Sequence, residues 1–398
     1  PEVQAEVKKT HITAISKWSV MNMIEDIIRA KELVVLKKSE RKKRGYEHVE
    51  GLDPANNEGT SKSTDCTLIL VEGLSAKTYA SWGIQKGAFG KQGRDWFGIY
   101  PLRGKILNCR NSSPVMIAKN FIVGDVIKSL GIQYGVDYSL DENYKKLRYG
   151  RVMIITDADT DGLHISALIQ NMFHCLFPTL LNREKPFITS MQTPIVRVYQ
   201  GKSDILFYDE QEYRRYVKEH SDEKINKKYY KGLGSSNEED VGETFGEKLV
   251  EYYQDESTMD TMSKAFHKNF SDVRKTWIAN YDPSKTVLKW QGNKQEVKRI
   301  SFTDYIDTEL IKFSIDDCKR SIPNVMDGLK EGHRKILYVT LLRKLKYTGK
   351  TIKVAQLAGS VSERSAYHHG EQNLSTTITT MANSYVGSNN IPLLFRDG

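Results

Sequence analysis

The 398-residue sequence is poor in cysteine and has no long apolar stretch. Its four cysteines lie far apart and form no Cys-x-x-Cys pair, which argues against a zinc site and a disulfide framework and fits a reducing compartment. No run of about 18 apolar residues occurs, so the sequence offers no membrane-spanning helix. It lacks internal repeats and low-complexity tracts. Because it opens at Pro1 without a signal segment, we expect a piece of a longer protein.

Positive charge is concentrated in one part of the chain. Lys and Arg number 59 against 50 Asp and Glu, a formal net charge of +9. Residues 330–371 include nine Lys and Arg but only three Glu, a net charge of +6. Such a block suits a polyanion such as DNA, and a solvated basic face explains it equally well. A second basic run at 37–44 is interpreted first as a solvated helix end, and otherwise as a nuclear address or a nucleic-acid contact.

Two continuous apolar runs predict strands that are buried on both faces, as in a parallel sheet. The first covers 66–71 and ends at Glu72, and the second covers 152–156 and ends at Asp157. The apolar stretch 163–181 behind the second run predicts a core helix. Strands alternating with helices favour an α/β domain with a Rossmann-like parallel sheet, which we place at 63–200.

The rest of the chain divides into three further parts. Residues 1–62 are interpreted as a connector with an amphipathic helix over 20–33, and the charged, Tyr-rich stretch 201–310 as a helical extension. Residues 311–398 show three helical patterns (336–345, 354–357 and 374–385) with basic side chains among them. Short basic helices of this kind resemble a helix-turn-helix or winged-helix DNA reader, so we expect a mainly helical second domain there.

Carboxylates gather where the two predicted strands end. Asp157, Asp159 and Asp161 occupy alternate positions of one turn, and Glu72 ends the other strand. In parallel sheets ligands collect at this edge. Four carboxylates there would repel one another unless a divalent cation lay between them. Oxygen donors without His or Cys select Mg²⁺ or Mn²⁺ over zinc.

The carboxylate cluster fits a calcium loop or a simple helix cap less well. An EF-hand calcium loop starting at Asp157 requires Glu at its twelfth position, where this chain has Leu168, and a strand rather than a helix precedes it. A turn that only caps the following helix needs one carboxylate. Three at alternate positions together with Glu72 exceed that need.

Several motifs together resemble the type IIA DNA topoisomerases. The segments that resemble the family's Toprim region are 72–77 (EGLSAK), 101–105 (PLRGK), 157–162 (DADTDG) and 230–234 (YKGLG). Those that resemble its winged-helix cleavage domain are 321–323 (SIP), 327–330 (DGLK), 333–335 (HRK), 353–357 (KVAQL), 367–371 (YHHGE) and 387–390 (GSNN). Motif order and spacing agree from about residue 53 to residue 398. Both blocks on one chain indicate the single-chain form of eukaryotes and large DNA viruses.

This resemblance implies an ATP-dependent homodimer that acts on double-stranded DNA. Such an enzyme cuts both strands of one duplex through tyrosines linked to the 5′ phosphates, passes a second duplex and religates. The implied metal is Mg²⁺, for which Mn²⁺ or Ca²⁺ can substitute, and ATP would bind only in a domain preceding residue 1. No membrane is involved. We expect the nucleus for a cellular protein, and the nucleus or a cytoplasmic viral factory for a viral one.

The resemblance also assigns roles to residues of this chain. The expected metal ligands and catalytic carboxylates are Glu72, Asp157 and Asp159, with Asp161 as a ligand or a partner of one. Arg334 and His369 match catalytic positions near the scissile phosphate. The expected DNA-binding residues are Lys105, Lys231, Lys330, Lys353 and His368. His164 is expected to be a core or helix-start histidine.

Some positions differ from the family pattern. The family usually has Asp at Leu74, Gln at Ala158, His at Thr160 and Gln at His333. None of these changes removes a carboxylate that is assigned as a metal ligand, but they alter the polar neighbours of the site.

The nucleophilic tyrosine is expected beyond residue 398, where the winged-helix domain is truncated. Neither Tyr367 nor Tyr385 matches its position. By this reasoning the isolated chain supplies the metal-binding and DNA-positioning half of an active site and is inactive alone.

Two other functions account for part of the sequence. A Toprim nuclease or primase shares the metal site but does not need the winged-helix block. A DNA-binding module with a vestigial metal site predicts that Asp157→Asn leaves every DNA-related activity unchanged.

Overall fold

The computed structural model describes residues 18–41, 49–201, 204–221, 224–230, 232–290, 295–365, 367, 370–385 and 391–397. Contacts divide the chain into Pro1–Leu310 and Ile311–Gly398, the first and second units. The division coincides with the boundary expected at residue 311. The first unit combines what the sequence suggested as a connector, an α/β domain and an extension.

The first unit is built on strands that form two sheets. Those found in the described residues are β1 (Thr67–Glu72), β2 (Phe97–Leu102), β3 (Arg151–Ile155), β4 (Ile188–Met191), β5 (Val196–Val198), β6 (Ile205–Phe207), β7 (Lys227–Tyr229), β8 (Lys248–Tyr253) and β9 (Glu296–Ser301). The main sheet has the order β2-β1-β3-β4-β8-β9. All its neighbours pair in parallel except β4 and β8, so the sheet is mixed rather than wholly parallel.

The long apolar runs form the centre of this sheet. Every residue of β1 before Glu72 is buried, as is all of β3 after its first residue. Strands with neighbours on both sides and covered faces need apolar side chains at successive positions. The prediction of two buried parallel strands is therefore confirmed.

The prediction that 201–310 is a helical extension was wrong in part, because four strands lie there. Strands β6 and β7 flank β5 in a separate antiparallel sheet, while β8 and β9 complete the main sheet. Strands of three residues are too short to show a period of two. In β8 the strand pattern is hidden by the charged Lys248, whose side chain is buried beside Glu296 at 3.3 Å.

Helices connect and cover these strands. In the first unit they are α1 (Ser19–Arg41), α2 (Gly73–Lys86), α3 (Pro114–Lys119), α4 (Phe121–Leu130), α5 (Asp141–Tyr144), α6 (Thr160–Leu176), α7 (Glu210–Glu219), α8 (Glu238–Thr244), α9 (Thr258–Phe266), α10 (Ser271–Ala279) and α11 (Phe302–Tyr305). Short 3₁₀ turns occur at Ser63–Asp65, Cys109–Asn111, Pro178–Asn182, Leu233–Ser235 and Lys268–Phe270, and a π turn at Ile306–Leu310. The predicted helices near 20–33 and 163–181 correspond to α1 and α6.

One apolar core fixes the edge at which the carboxylates lie. It joins Ile69 and Val71 of β1, Ile155 of β3, Ala80 of α2 and Leu233 of the fourth 3₁₀ turn. Because these residues are close-packed, the ends of β1 and β3 have little freedom to separate.

The second unit is helical in its described part. Its helices are α12 (Ile311–Ser321), α13 (Glu331–Leu342), α14 (Val354–Arg364) and α15 (Glu371–Met381). Their core contains Ile336, Val339, Leu357, Val361 and Ile378. This confirms an α/β domain followed by a mainly helical one, although the described residues of this unit do not include the strands of a wing. Across the described chain, no helix combines the length and apolarity needed to span a membrane.

Candidate functional site

The four predicted metal ligands lie along one edge of the main sheet. Glu72 is the last residue of β1, and Asp157 follows the end of the neighbouring parallel strand β3 by two residues. Asp159 is the N-cap of α6, and Asp161 lies in its first turn. The Asp157 N–H donates to Glu72 Oε2 over 3.3 Å, which ties the two strand ends together. These carboxylates therefore meet at the edge where parallel sheets bind ligands.

The electrostatics of this edge disfavour ionised carboxylates. Burial first, and then the charges of Asp157 and Asp159, raise the pKa of Glu72 to about 7. The pKa of Asp157 is also raised by burial and by Asp159, against the lowering effect of a hydrogen bond from the Leu233 N–H. Because like charges and burial both penalise the ionised forms, a bound cation would stabilise them.

The other three carboxylates, like Glu72, have protein partners. The Leu233 N–H donates to Asp157 Oδ1 over 2.8 Å, and the Gly162 N–H donates to Asp159 Oδ1 over 2.8 Å. Asp161 Oδ1 accepts from Lys105 Nζ at 2.5 Å. Within the described ranges, no three His, Cys, Asp or Glu side chains are arranged to hold a metal ion.

The donor set still fits a hard divalent cation. It contains only carboxylate oxygens, which Mg²⁺ and Mn²⁺ prefer over the nitrogen and sulfur donors of zinc sites. Mg²⁺ keeps several water ligands and usually takes one or two carboxylates, so it requires no cage of protein side chains. The half-buried Glu72 and Asp157 satisfy that requirement.

Two glycines let the backbone approach the Asp157 carboxylate and carbonyl. A Cβ on Gly232 would lie 2.7 Å from Asp157 Oδ2, and one on Gly162 would lie 2.2 Å from the Asp157 carbonyl oxygen. Real Cβ atoms do not approach so closely, so a Cβ on Gly162 would force the backbone to move and one on Gly232 would force the Asp157 side chain to move. The Asp157 side chain is thus approached by the backbone of one distant segment, residues 232 and 233.

Lys105 lies beside the carboxylates. Its Nζ bonds Asp161 and lies 3.4 Å from His164 Nδ1. The salt bridge is partly exposed, with 41% of the Lys105 side chain and 23% of the Asp161 side chain accessible. His164 is half-buried in the first turns of α6, in agreement with a helix-start histidine.

The predicted basic site residues of the second unit that are described lie at the starts of α13 and α14. Lys330 is the N-cap of this helix, and Arg334 follows one turn later. Arg334 binds Asp327 through two hydrogen bonds, Nε to Oδ2 and Nη2 to Oδ1, each 2.8 Å long. This paired geometry fixes the plane of the guanidinium. Lys353 is the N-cap of α14.

A cleft of about 450 Å³ lies next to Lys330. Its lining includes Arg320, His333, Lys335 and Tyr367. Burial, and then the charge of Lys330, lower the pKa of His333. The cleft thus presents cationic side chains together with the carboxylates of Asp316 and Glu331, around a histidine whose neutral form is favoured.

Three predicted site residues, Lys231, His368 and His369, lie outside the described residues. Their roles stay predictions. The carboxylates and Lys105 belong to the first unit, whereas Arg334, Lys330 and Lys353 belong to the second.

Sequence reasoning missed two groups that hold predicted site residues. The Leu233 N–H is a backbone donor and leaves no trace in residue type, although Gly232 and Gly234 on either side indicate close backbone approach. Asp327 precedes Arg334 by seven residues and lies before the helix, so helical spacing does not relate them.

Models of three protein families match successive parts of the chain. The model "Toprim domain" matches residues 67–191, and "C-terminal associated domain of TOPRIM" matches 191–318. The model of the DNA gyrase/topoisomerase IV family matches 320–398. The Toprim match is consistent with use of a divalent metal ion by the carboxylate edge.

Curated relatives match nearly the whole chain. DNA topoisomerase 2 of Invertebrate iridescent virus 6 is 40% identical over 410 residues, covering 97% of this chain and 36% of the viral protein. Human DNA topoisomerase 2-alpha is 39% identical over 402 residues, covering 98% of this chain and 26% of the human protein. The chain thus spans about a third or less of the length of these relatives.

A solved structure agrees with these matches. The Plasmodium falciparum topoisomerase II DNA-binding, cleavage and re-ligation domain has a TM-score of 0.72 and 37% sequence identity, covering 87% of this chain and 46% of that chain. That domain resembles this chain in both fold and sequence. Together with the carboxylate edge and the three consecutive family matches, it shows that the chain belongs to the type IIA DNA topoisomerase family.

Proposed function

We propose that this chain is the metal-binding and DNA-positioning part of a type II DNA topoisomerase. Such an enzyme makes a transient double-strand break, passes a second duplex through it and reseals the break. The observation that carries the proposal is the gathering of Glu72, Asp157 and Asp159 at one sheet edge, where the pKa of Glu72 rises to about 7. Family membership adds the DNA substrate and the reaction.

Mg²⁺ is the proposed metal, with Mn²⁺ and Ca²⁺ as substitutes. Glu72 and Asp157 would hold it, Asp159 is the third ligand that the family resemblance implies, and Asp161 would join them or hold Lys105 in place. When bound, the ion supplies positive charge for the attacked phosphate and the leaving 3′ oxygen. The Leu233 N–H keeps one oxygen of Asp157 in a fixed place, so the carboxylate needs little reorganisation to bind a cation.

The second unit is proposed to hold duplex DNA by its phosphates. Arg334, Lys330 and Lys353 lie at helix starts, where backbone N–H groups also favour anions. Asp327 and the Leu329 carbonyl orient the Arg334 guanidinium through Nε and Nη2, and its Nη1 group is proposed to contact a phosphate near the point of cleavage. His369, His368 and Lys231 are proposed in the roles that the family resemblance assigns.

A homodimer and double-stranded DNA are the proposed partners. ATP use belongs to the same proposal at the level of the longer protein, and no described residue is proposed to bind ATP. The nuclease or primase alternative does not account for the gyrase and topoisomerase IV match over 320–398. The vestigial-site alternative predicts full activity for an Asp157→Asn variant, whereas the proposed function predicts its loss.

Covalent trapping tests the proposal. The chain, and a version extended beyond residue 398, are incubated with supercoiled plasmid and Mn²⁺, denatured with detergent and examined for DNA attached to protein. We expect an adduct from the extended protein only, and none from its Asp157→Asn variant. Asp260→Asn changes an exposed aspartate on α9 in the same way and serves as the matched control.

The outcomes separate the alternatives. An adduct of unchanged yield with Asp157→Asn would show that the carboxylate edge is vestigial. Cleavage without any covalent adduct would indicate a nuclease. An adduct from residues 1–398 alone would place the nucleophile within this chain and contradict the assignment of that tyrosine to a position beyond it.

A further inference from the structure

A buried polar cluster surrounds Tyr230, the residue that follows β7. The Tyr230 hydroxyl donates to Asp240 Oδ1 over 2.9 Å and accepts from Arg197 Nε at 3.0 Å. Lys228 Nζ lies 2.5 Å from Asp240 Oδ2. Only 8% of the Arg197 side chain and 7% of the Asp240 side chain are exposed. We call these four residues the Tyr230 cluster.

The cluster joins three separate elements of the first unit. Arg197 belongs to β5 and Asp240 to the first turn of α8, where it forms a capping box with Asn237. The Tyr230 N–H continues the β7 pairing by donating to the Ile195 carbonyl over 3.0 Å. A hydrogen-bonded network built on the buried Arg197 and Asp240 holds its members in one arrangement. The position of Tyr230 is therefore determined by both its backbone and its hydroxyl.

Three residues after Tyr230, the chain touches the carboxylate edge. The Leu233 N–H donates to Asp157 Oδ1 over 2.8 Å, and the Leu233 side chain is buried in the main core. The α-carbon of Gly232 passes so close to Asp157 that a Cβ there would lie 2.7 Å from Oδ2. Tyr230 is thus held by the Tyr230 cluster, and Leu233, three positions later in the sequence, is held by its side chain in the main core.

We propose that Tyr230 is a positioning residue that acts through the Leu233 N–H on Asp157. By fixing Tyr230, three positions before Leu233 in the sequence, the Tyr230 cluster keeps this N–H on one oxygen of Asp157 and leaves the carboxylate oriented for a divalent cation. The inference rests on the proposed function, because the cation is part of that proposal. Tyr230 touches neither the cation nor DNA in this role.

A cluster that only stabilised the fold would have a different signature. Its loss would lower the melting temperature and leave the metal affinity of the folded protein unchanged. Residues that orient metal ligands typically change metal affinity by about 10–100-fold when they are altered. Since Tyr230 acts through one backbone N–H, we expect a loss of Mn²⁺ affinity at the lower end of this range, about tenfold.

The test removes one hydroxyl group and measures metal binding without DNA or catalysis. Mn²⁺ affinity of the 398-residue chain is determined from the electron paramagnetic resonance signal of the free ion. Tyr230→Phe is compared with Tyr229→Phe, which also removes a tyrosine hydroxyl, from the adjacent residue. The Tyr229 hydroxyl meets that of Tyr213 at 3.1 Å, away from the cluster. We expect about tenfold weaker binding for Tyr230→Phe and a change below about twofold for Tyr229→Phe.

Amide hydrogen exchange gives a second measurement on the metal-free protein. In Tyr230→Phe the peptide containing the Leu233 N–H should exchange at least about tenfold faster, because the cluster that fixes Tyr230 is weakened. Tyr229→Phe should leave that exchange rate unchanged. This measurement remains informative where a variant melts at a lower temperature, because it is made well below the melting temperature.

The results distinguish failure of the inference from failure of the proposed function. Unchanged Mn²⁺ affinity or unchanged exchange at Leu233 in Tyr230→Phe would overturn the positioning role while leaving the metal site intact. Equal losses in the two Phe variants would also overturn it, since the effect would not depend on the cluster. Two outcomes would contradict the proposed metal site and with it the positioning role. One is a wild-type chain that binds no Mn²⁺, and the other is equal Mn²⁺ affinity of the wild type and the Asp157→Asn variant.

Discussion

Replacing Glu72 with glutamine tests the electrostatics of the carboxylate edge directly. Burial and the charges of Asp157 and Asp159 raise the Glu72 pKa from its ordinary 4.5 to about 7. At about 1.4 kcal/mol for each pKa unit, that difference corresponds to about 3 kcal/mol of folding free energy. The ionised carboxylate therefore destabilises the metal-free fold by roughly this amount.

The sign of the pH dependence follows from the direction of the pKa change. Because the folded chain binds the Glu72 proton more tightly than the unfolded chain, this stability is present below about pH 4.5. It is lost as pH rises through about 7. Glutamine is neutral at every pH and keeps an oxygen that can accept the Asp157 N–H. Without divalent metal, Glu72→Gln should match the wild type near pH 4 and exceed it by about 3 kcal/mol near pH 8.

Thermal unfolding in EDTA across this pH range measures the difference. In a unit of this size about 3 kcal/mol corresponds to a rise of several degrees in melting temperature. Saturating Mn²⁺ should reverse the order near pH 8, because a ligand that binds only the folded wild type stabilises it alone. Glu142→Gln, which changes an exposed glutamate on α5, is the control and should show neither effect. A difference that does not change with pH, or a variant less stable than wild type near pH 8, would refute this reasoning.

Three further predictions follow from contacts of the site. Gly232→Ala places a Cβ 2.7 Å from Asp157 Oδ2 and should weaken Mn²⁺ binding at least about tenfold. Gly242→Ala, which has open space around it, should not weaken Mn²⁺ binding. Equal Mn²⁺ affinities of the two variants by calorimetry would contradict the close approach at Gly232. Arg334→Ala should reduce cleavage by the longer protein more than it reduces DNA affinity, and equal losses would make Arg334 a simple backbone contact. DNA affinity of the chain should fall steeply with salt and depend little on sequence, and a flat salt dependence in a filter-binding assay would exclude the basic block as the contact surface.

The sequence predicted best those elements whose burial is uniform along the chain. Strands β1 and β3 are covered on both faces, so their apolar runs were visible without any partner. Strands β5, β6 and β7 have three residues each and were missed, because no period can be read from so few positions. Lys248 hid the start of β8, since its buried side chain is packed by Tyr208 and Trp290, whose rings lie 5.9 and 5.4 Å from Nζ.

For the site, the sequence predicted which carboxylates meet but not what holds them. The parallel direction of β1 and β3 is enough to bring Glu72 and Asp157 to one edge. The apolar runs in the sequence predict both strands and the places where they end. The hydrogen bond from Leu233 to Asp157 spans 76 residues, and the Lys105 contact with Asp161 spans 56. Contacts at such separations depend on how the elements pack, and one of them uses a backbone atom that every residue type except proline possesses. Residue identity therefore carries little information about either.

The positions at which the sequence leads us to expect a departure from the family pattern can be separated from those that the carboxylate edge requires. Leu74 is 74% exposed and Ala158 is also exposed, so neither side chain contributes to the core, and their replacement has little cost in folding. Gly162 and Gly232 are different, because any Cβ at either place collides with Asp157. Variation at exposed neighbours can alter the polar surroundings of a bound cation, whereas a Cβ at Gly162 or Gly232 would displace Asp157 itself. The edge is thus specified more strictly by glycine and backbone hydrogen bonds than by the side chains next to its carboxylates.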